Sequence, residues 1–333
     1  MNEIERKDWA ALPAGYLSPS QCWSWLSCGA CYEAERILHI PKPISVDLLV
    51  GRFTHAAVAD MRAQLMDNAE FEERDRIQEL PINPDRSLDV GSQAFDEVFA
   101  RQVDVDETGE ETPIEIELTK KFGDVGEAKD AAVRLTRYVL PLIAKYDRAA
   151  GVIAAEARVR HLGPSFLGYP DLAIKLSAEE RADAEEEAEE QFVEGVKPVF
   201  PFPFKAILDV VYANGWMKDL KTASKLGSPD MLASLQLLTY DLPFWMAGER
   251  HRLAWDVALK TKNPDFATYY VNETGDVTDE QYEFARYTTM RVADQICAGN
   301  FPVNVGGAPW SHKYVHDLPT GTRAAMEDWA VSA

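Results

Sequence analysis

The chain is poor in the residues that most often announce a site. It has four cysteines, Cys22, Cys28, Cys31 and Cys297, too few and too unevenly placed for a disulfide framework. Six scattered histidines leave a His-rich dinuclear metal centre out of reach. No apolar run approaches the roughly 18 residues needed to cross a bilayer, and the opening MNEIERKDWAALPAG has no apolar signal region. A cytoplasmic, reducing compartment and no membrane partner are therefore expected. No GxxxxGK[ST] loop is present, so any helicase motor would be a separate chain.

Basic excess is missing too. Against 34 basic residues stand 55 acidic ones, a net charge of −21. Between Glu179 and Glu194 nine acids face Arg181 alone, so this Ala- and Glu-rich segment carries −8 of the total and reads as a solvated helix. The remaining −13 still requires any nucleic-acid track to be a local groove rather than a basic surface.

What is present comes to a point in FKAILDVVYANGWMKDLKTASK. β-Branched and aromatic residues flank Ala213-Asn214-Gly215, the pattern of a β-hairpin. A two-residue Asn-Gly turn would pair Asp209 with Leu220 and send the carboxylates to opposite faces. A three-residue loop with Gly215 in the left-handed conformation pairs Asp209 with Asp219. Two carboxylates placed so repel unless a cation lies between them. A hard ion with oxygen ligands, Mg²⁺ or Mn²⁺, suits that place, and Lys221 would point its ammonium at it. These residue types support metal-assisted phosphodiester hydrolysis.

Around the hairpin the spacing predicts helices from Ser18 to about Leu38, from Val46 to about Asn68, and in DVGSQAFDEVFARQV and GEAKDAAVRLTRYVLPLIAKYD. Pro141 is expected to kink or shorten the last of these. Strands are expected in GVIAAEARVRHL, SFLGYPDLAIKL, HRLAWDVALKT and FATYYVNET, with helices from Pro229 to Trp245 and from Thr278 to Gly299. That order gives an α/β fold: a mixed sheet flanked by helices, in one domain over 1–333 with insertions at 68–125 (helical) and 177–203 (acidic, helical).

With these residues in place, the chain resembles the PD-(D/E)XK nuclease superfamily in its RecB-type exonuclease branch. Leu17-Ser18-Pro19-Ser20 with Cys28 resembles that branch's opening helix, and Gly51-Arg52-Phe53-Thr54-His55 its Gly-x-x-x-His helix. Asp209 with Asp219-Leu220-Lys221 matches the defining acids and lysine, and Gln236-Leu237-Leu238-Thr239-Tyr240 the Gln-x-x-x-Tyr helix. The resemblance covers about 17–245 discontinuously. It implies a restriction-endonuclease-like core and a Mg²⁺- or Mn²⁺-dependent deoxyribonuclease, most naturally an exonuclease at DNA ends in recombination, repair or phage DNA processing.

It also implies roles. Asp209, Asp219, His55 and the main-chain carbonyl of Leu220 would ligate the metal, with Glu156 an additional acid from the preceding strand. Lys221 would orient the attacking water or stabilise charge on phosphate. Gln236 and Tyr240, at i and i+4, share a helix face and would touch DNA, and Lys225 could reach a phosphate. Asp171, in Tyr169-Pro170-Asp171, competes for the place of first acid; Asp209 is preferred because it lies within one hairpin of Asp219. Trp23 and Trp25 could stack on a frayed strand or simply pack. Relatives with an iron–sulfur cluster use three further cysteines near the C-terminus, which AGNFPVNVGGAPWSHKYVHDL lacks. No cluster is expected, and the cysteines read as packing residues. Expected partners are DNA with free ends, a second copy of the chain in a homo-oligomer, and a recombination or single-strand-annealing protein.

Overall fold

The computed structural model describes residues 12, 15–38, 44–71, 82–100, 103–105, 111–113, 116–119, 121–161, 200, 202, 204–225, 231–246 and 248–302. Asp171, the strand expected at 165–176 and the acidic segment at 179–194 lie outside them.

Ser18 opens the first helix through a capping box with Gln21, and Pro19 takes the first turn, where a missing N–H costs nothing. The single helix expected to reach Leu38 is instead two: α1 (Pro19–Ser27) and α2 (Gly29–Arg36). Cys28 breaks the run in extended backbone, closing α1 through its N–H and capping α2 through its sulfur. Three long helices follow, α3 (Val46–Phe71), α4 (Pro84–Ala100) and α5 (Val125–Ala150). Short strands β1 (Ile44–Ser45) and β4 (Ile116–Glu117) pair in parallel, and β2 (Val103–Val105) pairs with β3 (Glu111–Pro113).

Pro141 does not cut α5, which continues to Ala150. Leu135, Val139, Leu140, Ile143 and Ala144 are buried on either side of it, and that packing outweighs one lost backbone hydrogen bond. Pro141 itself is exposed.

The central sheet is mixed and five-stranded: β5 (Val152–His161), β6 (Phe204–Tyr212), β7 (Trp216–Ala223), β8 (Arg252–Leu259) and β9 (Asp265–Tyr270), in that spatial order. Only β7 and β8 run parallel, joined through helix α6 (Met231–Met246). Helix α7 (Asp279–Cys297) follows β9 and ends ahead of Gly299. The architecture is therefore α/β, with helices on both faces of the sheet. On one face α1, α2, α6 and α7 share a core with Phe204, Leu208, Met217, Leu253 and Trp255. On the other, α3, α4 and α5 share a second core that includes Leu220 and Ala258. No helix among the described residues is long and apolar enough to span a membrane.

The cysteines depart from expectation. Cys28 and Cys31, read from sequence as packing residues, are joined by a disulfide, because the break at Cys28 brings their Cα atoms to 5.3 Å. Cys22 and Cys297 remain thiols.

Candidate active site

The loop between β6 and β7 has three residues, and Gly215 takes φ 79°, a conformation that other residues resist. Tight pairing is confined to Val211 with Met217 and Val210 with Lys218. One step further the register brings Asp209 and Asp219 abreast, and there the ladder ends. The acids therefore stand side by side where the β6–β7 ladder ends. There the Leu220 N–H donates to Asp209 Oδ2 at 2.6 Å.

Helix α3 supplies the next wall. Gly51, His55 and Arg62 fall on one face, since residues 4 and 11 apart nearly align at about 3.6 residues per turn. A Cβ on Gly51 would come within 3.0 Å of Thr222 Oγ1, so the glycine lets the helix lie close on β7. One turn on, His55 Nδ1 stands 3.6 Å from Asp209 Oδ2. Burial holds the imidazole pKa below its ordinary value; Asp209 and the Leu220 backbone pull it back up, while Lys221 adds to the lowering.

Asp219 is almost fully buried. Lys221 Nζ lies 2.7 Å from its Oδ2, an ion pair that partly offsets the burial of the acid. Burial pushes the Asp219 carboxyl up to about 7; Asp209 adds to the effect and Lys221 opposes it. Burial would lower the Lys221 ammonium, but Asp219 and Asp209 outweigh it and hold the group above its ordinary value. The ammonium also sits 4.9 Å from the ring centre of Trp255, which pairs with Asp219 across β7 and β8. Trp255 is buried, with an indole nitrogen that has no acceptor.

Behind the acids lies a polar knot that sequence reasoning missed. Arg62 Nε donates to Asp147 Oδ2 at 3.0 Å, its Nη2 to the Tyr212 hydroxyl at 3.3 Å, and its Nη1 to the main-chain oxygen of Asp209 at 3.4 Å. Tyr212 donates in turn to Asp147 Oδ1 at 2.5 Å. Its three members come from α3, α5 and β6. A lone signal existed: an arginine on the apolar face of a helix, in register with Gly51 and His55.

The other expected residues stand as follows. Glu156 lies on β5 between Ala155, paired with Val210, and Ala157, paired with Leu208, and so beside Asp209 in the register. Gln236 and Tyr240 do share a face of α6, where Gln236 Nε2 donates to the Tyr240 hydroxyl at 3.3 Å. Lys225 is exposed just past β7. Trp25 donates to the Asn300 carbonyl at 3.2 Å, and Trp23 is partly exposed.

Among the described residues no group of three or more His, Cys, Asp and Glu side chains is gathered as a ready metal cage. The donor chemistry nonetheless fits a hard divalent ion. Two carboxylates stand abreast at the end of the β6–β7 ladder, and the buried Asp219 has the single ammonium of Lys221 beside it.

No family model and no curated protein matches the chain. Among solved structures it is similar to the crystal structure of a protein from Eubacterium rectale named "putative exonuclease". The TM-score is 0.42 at 14% identity, over 90% of this chain and 85% of that one.

Proposed function

We propose that the chain is a divalent-metal-dependent deoxyribonuclease with a restriction-endonuclease-like core, acting as an exonuclease on DNA ends. One observation carries the reading: Asp209 and Asp219 stand abreast at the end of the β6–β7 ladder, with Lys221 Nζ 2.7 Å from Asp219 Oδ2 and His55 Nδ1 3.6 Å from Asp209 Oδ2. The preference for DNA, and for ends, rests on the resemblance in the ordered motifs.

Asp209, Asp219, His55 and the Leu220 carbonyl would hold Mg²⁺ or Mn²⁺, with Glu156 as a further ligand. Such an ion, when bound, polarises a phosphate oxygen and lowers the pKa of its water. The chain's own residues do the rest. Lys221, held cationic by the two acids, places positive charge where negative charge develops on the phosphate. His55, its pKa lowered by burial, keeps a nitrogen lone pair for the ion. The Leu220 N–H fixes one Asp209 oxygen and leaves the other for a ligand. Gln236, Tyr240 and Lys225 are the assigned DNA contacts. A second copy of the chain, or a recombination or annealing protein in the cytoplasm of a bacterial or phage-infected cell, would extend the DNA path that an acidic monomer lacks.

The test is digestion of end-labelled linear DNA beside covalently closed circular DNA, with Mn²⁺ or Mg²⁺ and with chelator, in wild type, Asp219→Ala and Lys221→Ala. Metal-dependent loss of linear DNA alone, abolished in both variants, is the expected result. Cleavage of closed circles would make the chain an endonuclease. Mutation-insensitive signal would leave a catalytically silent nuclease fold serving as an interaction subunit.

A further inference from the structure

The corner where α1, α2 and α7 meet carries chemistry that the hydrolytic site does not use. We propose that Cys28 and Cys31 are a redox-active pair that exchanges with small thiols and dithiols, and that its oxidation state sets how Phe301 and Pro302 seat on α2.

The two sulfurs are not equivalent. Cys28 is buried and caps α2, its Sγ accepting the Cys31 N–H at 3.3 Å. Its sulfur thus sits at the positive end of a helix, where a thiolate is stabilised. Cys31 is half-buried, the more exposed of the two residues, and is the sulfur we assign to meet an outside thiolate. Attack there forms a bond from the incoming sulfur to Cys31 Sγ and breaks the Cys28–Cys31 bond. The electron pair departs on Cys28 Sγ, which the Cys31 N–H receives. A second external thiolate then attacks the incoming sulfur of the mixed disulfide. It leaves as an external disulfide, and Cys31 leaves as thiolate. Protons from solvent complete the dithiol. The pair gains two electrons and two external thiols lose them, and the same path runs in reverse.

Cys22 is a different kind of cysteine. Burial pushes its thiol up to about 12, against a hydrogen bond from Thr289, so it stays protonated and inert.

What the pair touches gives the exchange a consequence. Between the cysteines lies Gly29, where an added Cβ would meet the nitrogen and Cδ of Pro302 at 2.7 Å and its oxygen at 2.8 Å. Nothing larger than glycine leaves room for the proline on this turn. The Ala30 N–H donates to the Pro302 oxygen at 3.3 Å, and the Phe301 ring stacks on Tyr32 at 6.3 Å. The segment leaving α7 is therefore seated on the turn that the disulfide closes. Opening the bridge releases the constraint between the cap and the first turn of α2, and with it the surface on which Pro302 rests.

The experiment uses the whole wild-type chain, equilibrated under native conditions across ratios of reduced to oxidised glutathione, then acid-quenched, alkylated and weighed intact. Cys28 and Cys31 should pass together from bridged to doubly alkylated within the span of that couple, two labels above the constant contribution of the thiols Cys22 and Cys297, which the quench exposes. Oxidised glutathione should trap on Cys31 in Cys28→Ser at least about tenfold faster than on Cys28 in Cys31→Ser, because only Cys31 is reachable. Hydrogen exchange at the Ala30 amide should quicken on reduction. A bridge that survives full reductant in the native state would be a structural staple, and thiols that never bridge would be ordinary cysteines; either overturns the proposal. Equal trapping rates would overturn the assigned polarity, and unchanged Ala30 exchange would overturn the link to Phe301 and Pro302.

Discussion

Asp209 and Leu220 are joined across the hairpin by a side chain where a strand ladder would use a backbone: the Leu220 N–H donates to Asp209 Oδ2 at 2.6 Å. The bond ties β7 to the Asp209 side chain where the ladder ends and separates two roles of one residue. Asp209→Asn keeps an oxygen acceptor for Leu220 and should cost less than about 1 kcal/mol of stability, whereas Asp209→Ala leaves that N–H without its partner and should cost about 1–3 kcal/mol. Both should lose nearly all metal-dependent cleavage, because both lose the charge. Urea unfolding beside the DNA digestion separates the effects. Retained activity in Asp209→Asn would remove the residue from the metal site.

Asp219 should make stability depend on pH in a direction opposite to most carboxylates. Its folded pKa, raised to about 7 chiefly by burial, exceeds the unfolded value. The folded state therefore keeps a proton that the unfolded state has released. The stabilisation is complete below the unfolded pKa and is lost as pH rises towards 7. Between pH 5 and 8 wild type should lose on the order of 1–2 kcal/mol through this group, discounted for the compensating charge of Lys221. His55, with a lowered pKa, pulls the other way, so the comparison is with Asp219→Asn, whose profile should be flatter by that amount. Divalent cation should stabilise wild type increasingly as pH rises and leave Asp219→Asn unmoved. Parallel profiles in the two proteins would show that Asp219 does not titrate here.

How far these features were legible in the sequence depends on the reach of the interactions behind them. The hairpin was readable because Ala213-Asn214-Gly215 and the alternation around it are local, and loop length alone brings Asp209 level with Asp219. The closing of the ladder at Val210 and Lys218 was not, since it depends on what α3 places against β6. Ser18 and Pro19 announced the start of α1 by local capping chemistry. The break at Cys28 was hidden, because no proline marks it and α2 resumes within a residue. Pro141 misled in the opposite sense: a local rule allowed the helix to stop there, and burial of α5 on both sides carries it on to Ala150. The fold class needed only the order of elements. The Arg62–Asp147–Tyr212 knot needed the tertiary structure itself.

That knot should be costly to break and cheap to replace. Arg62 and Asp147 are buried together, so Arg62→Met strands a carboxylate in the interior and should destabilise by about 3–5 kcal/mol. Arg62→Met combined with Asp147→Leu removes both charges and should recover much of the loss, although Tyr212 then lacks its acceptor. The coupling between the two sites, read from unfolding of both singles and the double, should be large and favourable. Because Arg62 also donates to the Asp209 carbonyl, the stable double should still cleave more slowly than wild type. Additive effects of the two substitutions would mean that the pair does not act as a unit.

Gly51 is the site residue whose replacement separates packing from chemistry most sharply. Alanine in its place favours the helix by about 1 kcal/mol, but its Cβ would stand 3.0 Å from Thr222 Oγ1, tighter than ordinary contact. The two effects nearly offset, so Gly51→Ala should unfold at close to the wild-type urea midpoint. Relief of the contact moves α3 away from β7 by a few tenths of an ångström, and His55, one turn further along, moves with it relative to Asp209. Misplacement near reacting groups is costly even when small, so cleavage should fall about tenfold or more while stability hardly changes. Thr222→Ala removes the obstructing hydroxyl, and the Gly51→Ala, Thr222→Ala double variant should regain most of the activity lost to Gly51→Ala. If Thr222→Ala gives no rescue, the glycine is not there to let the helix approach, and the placement of His55 must be sought elsewhere in α3.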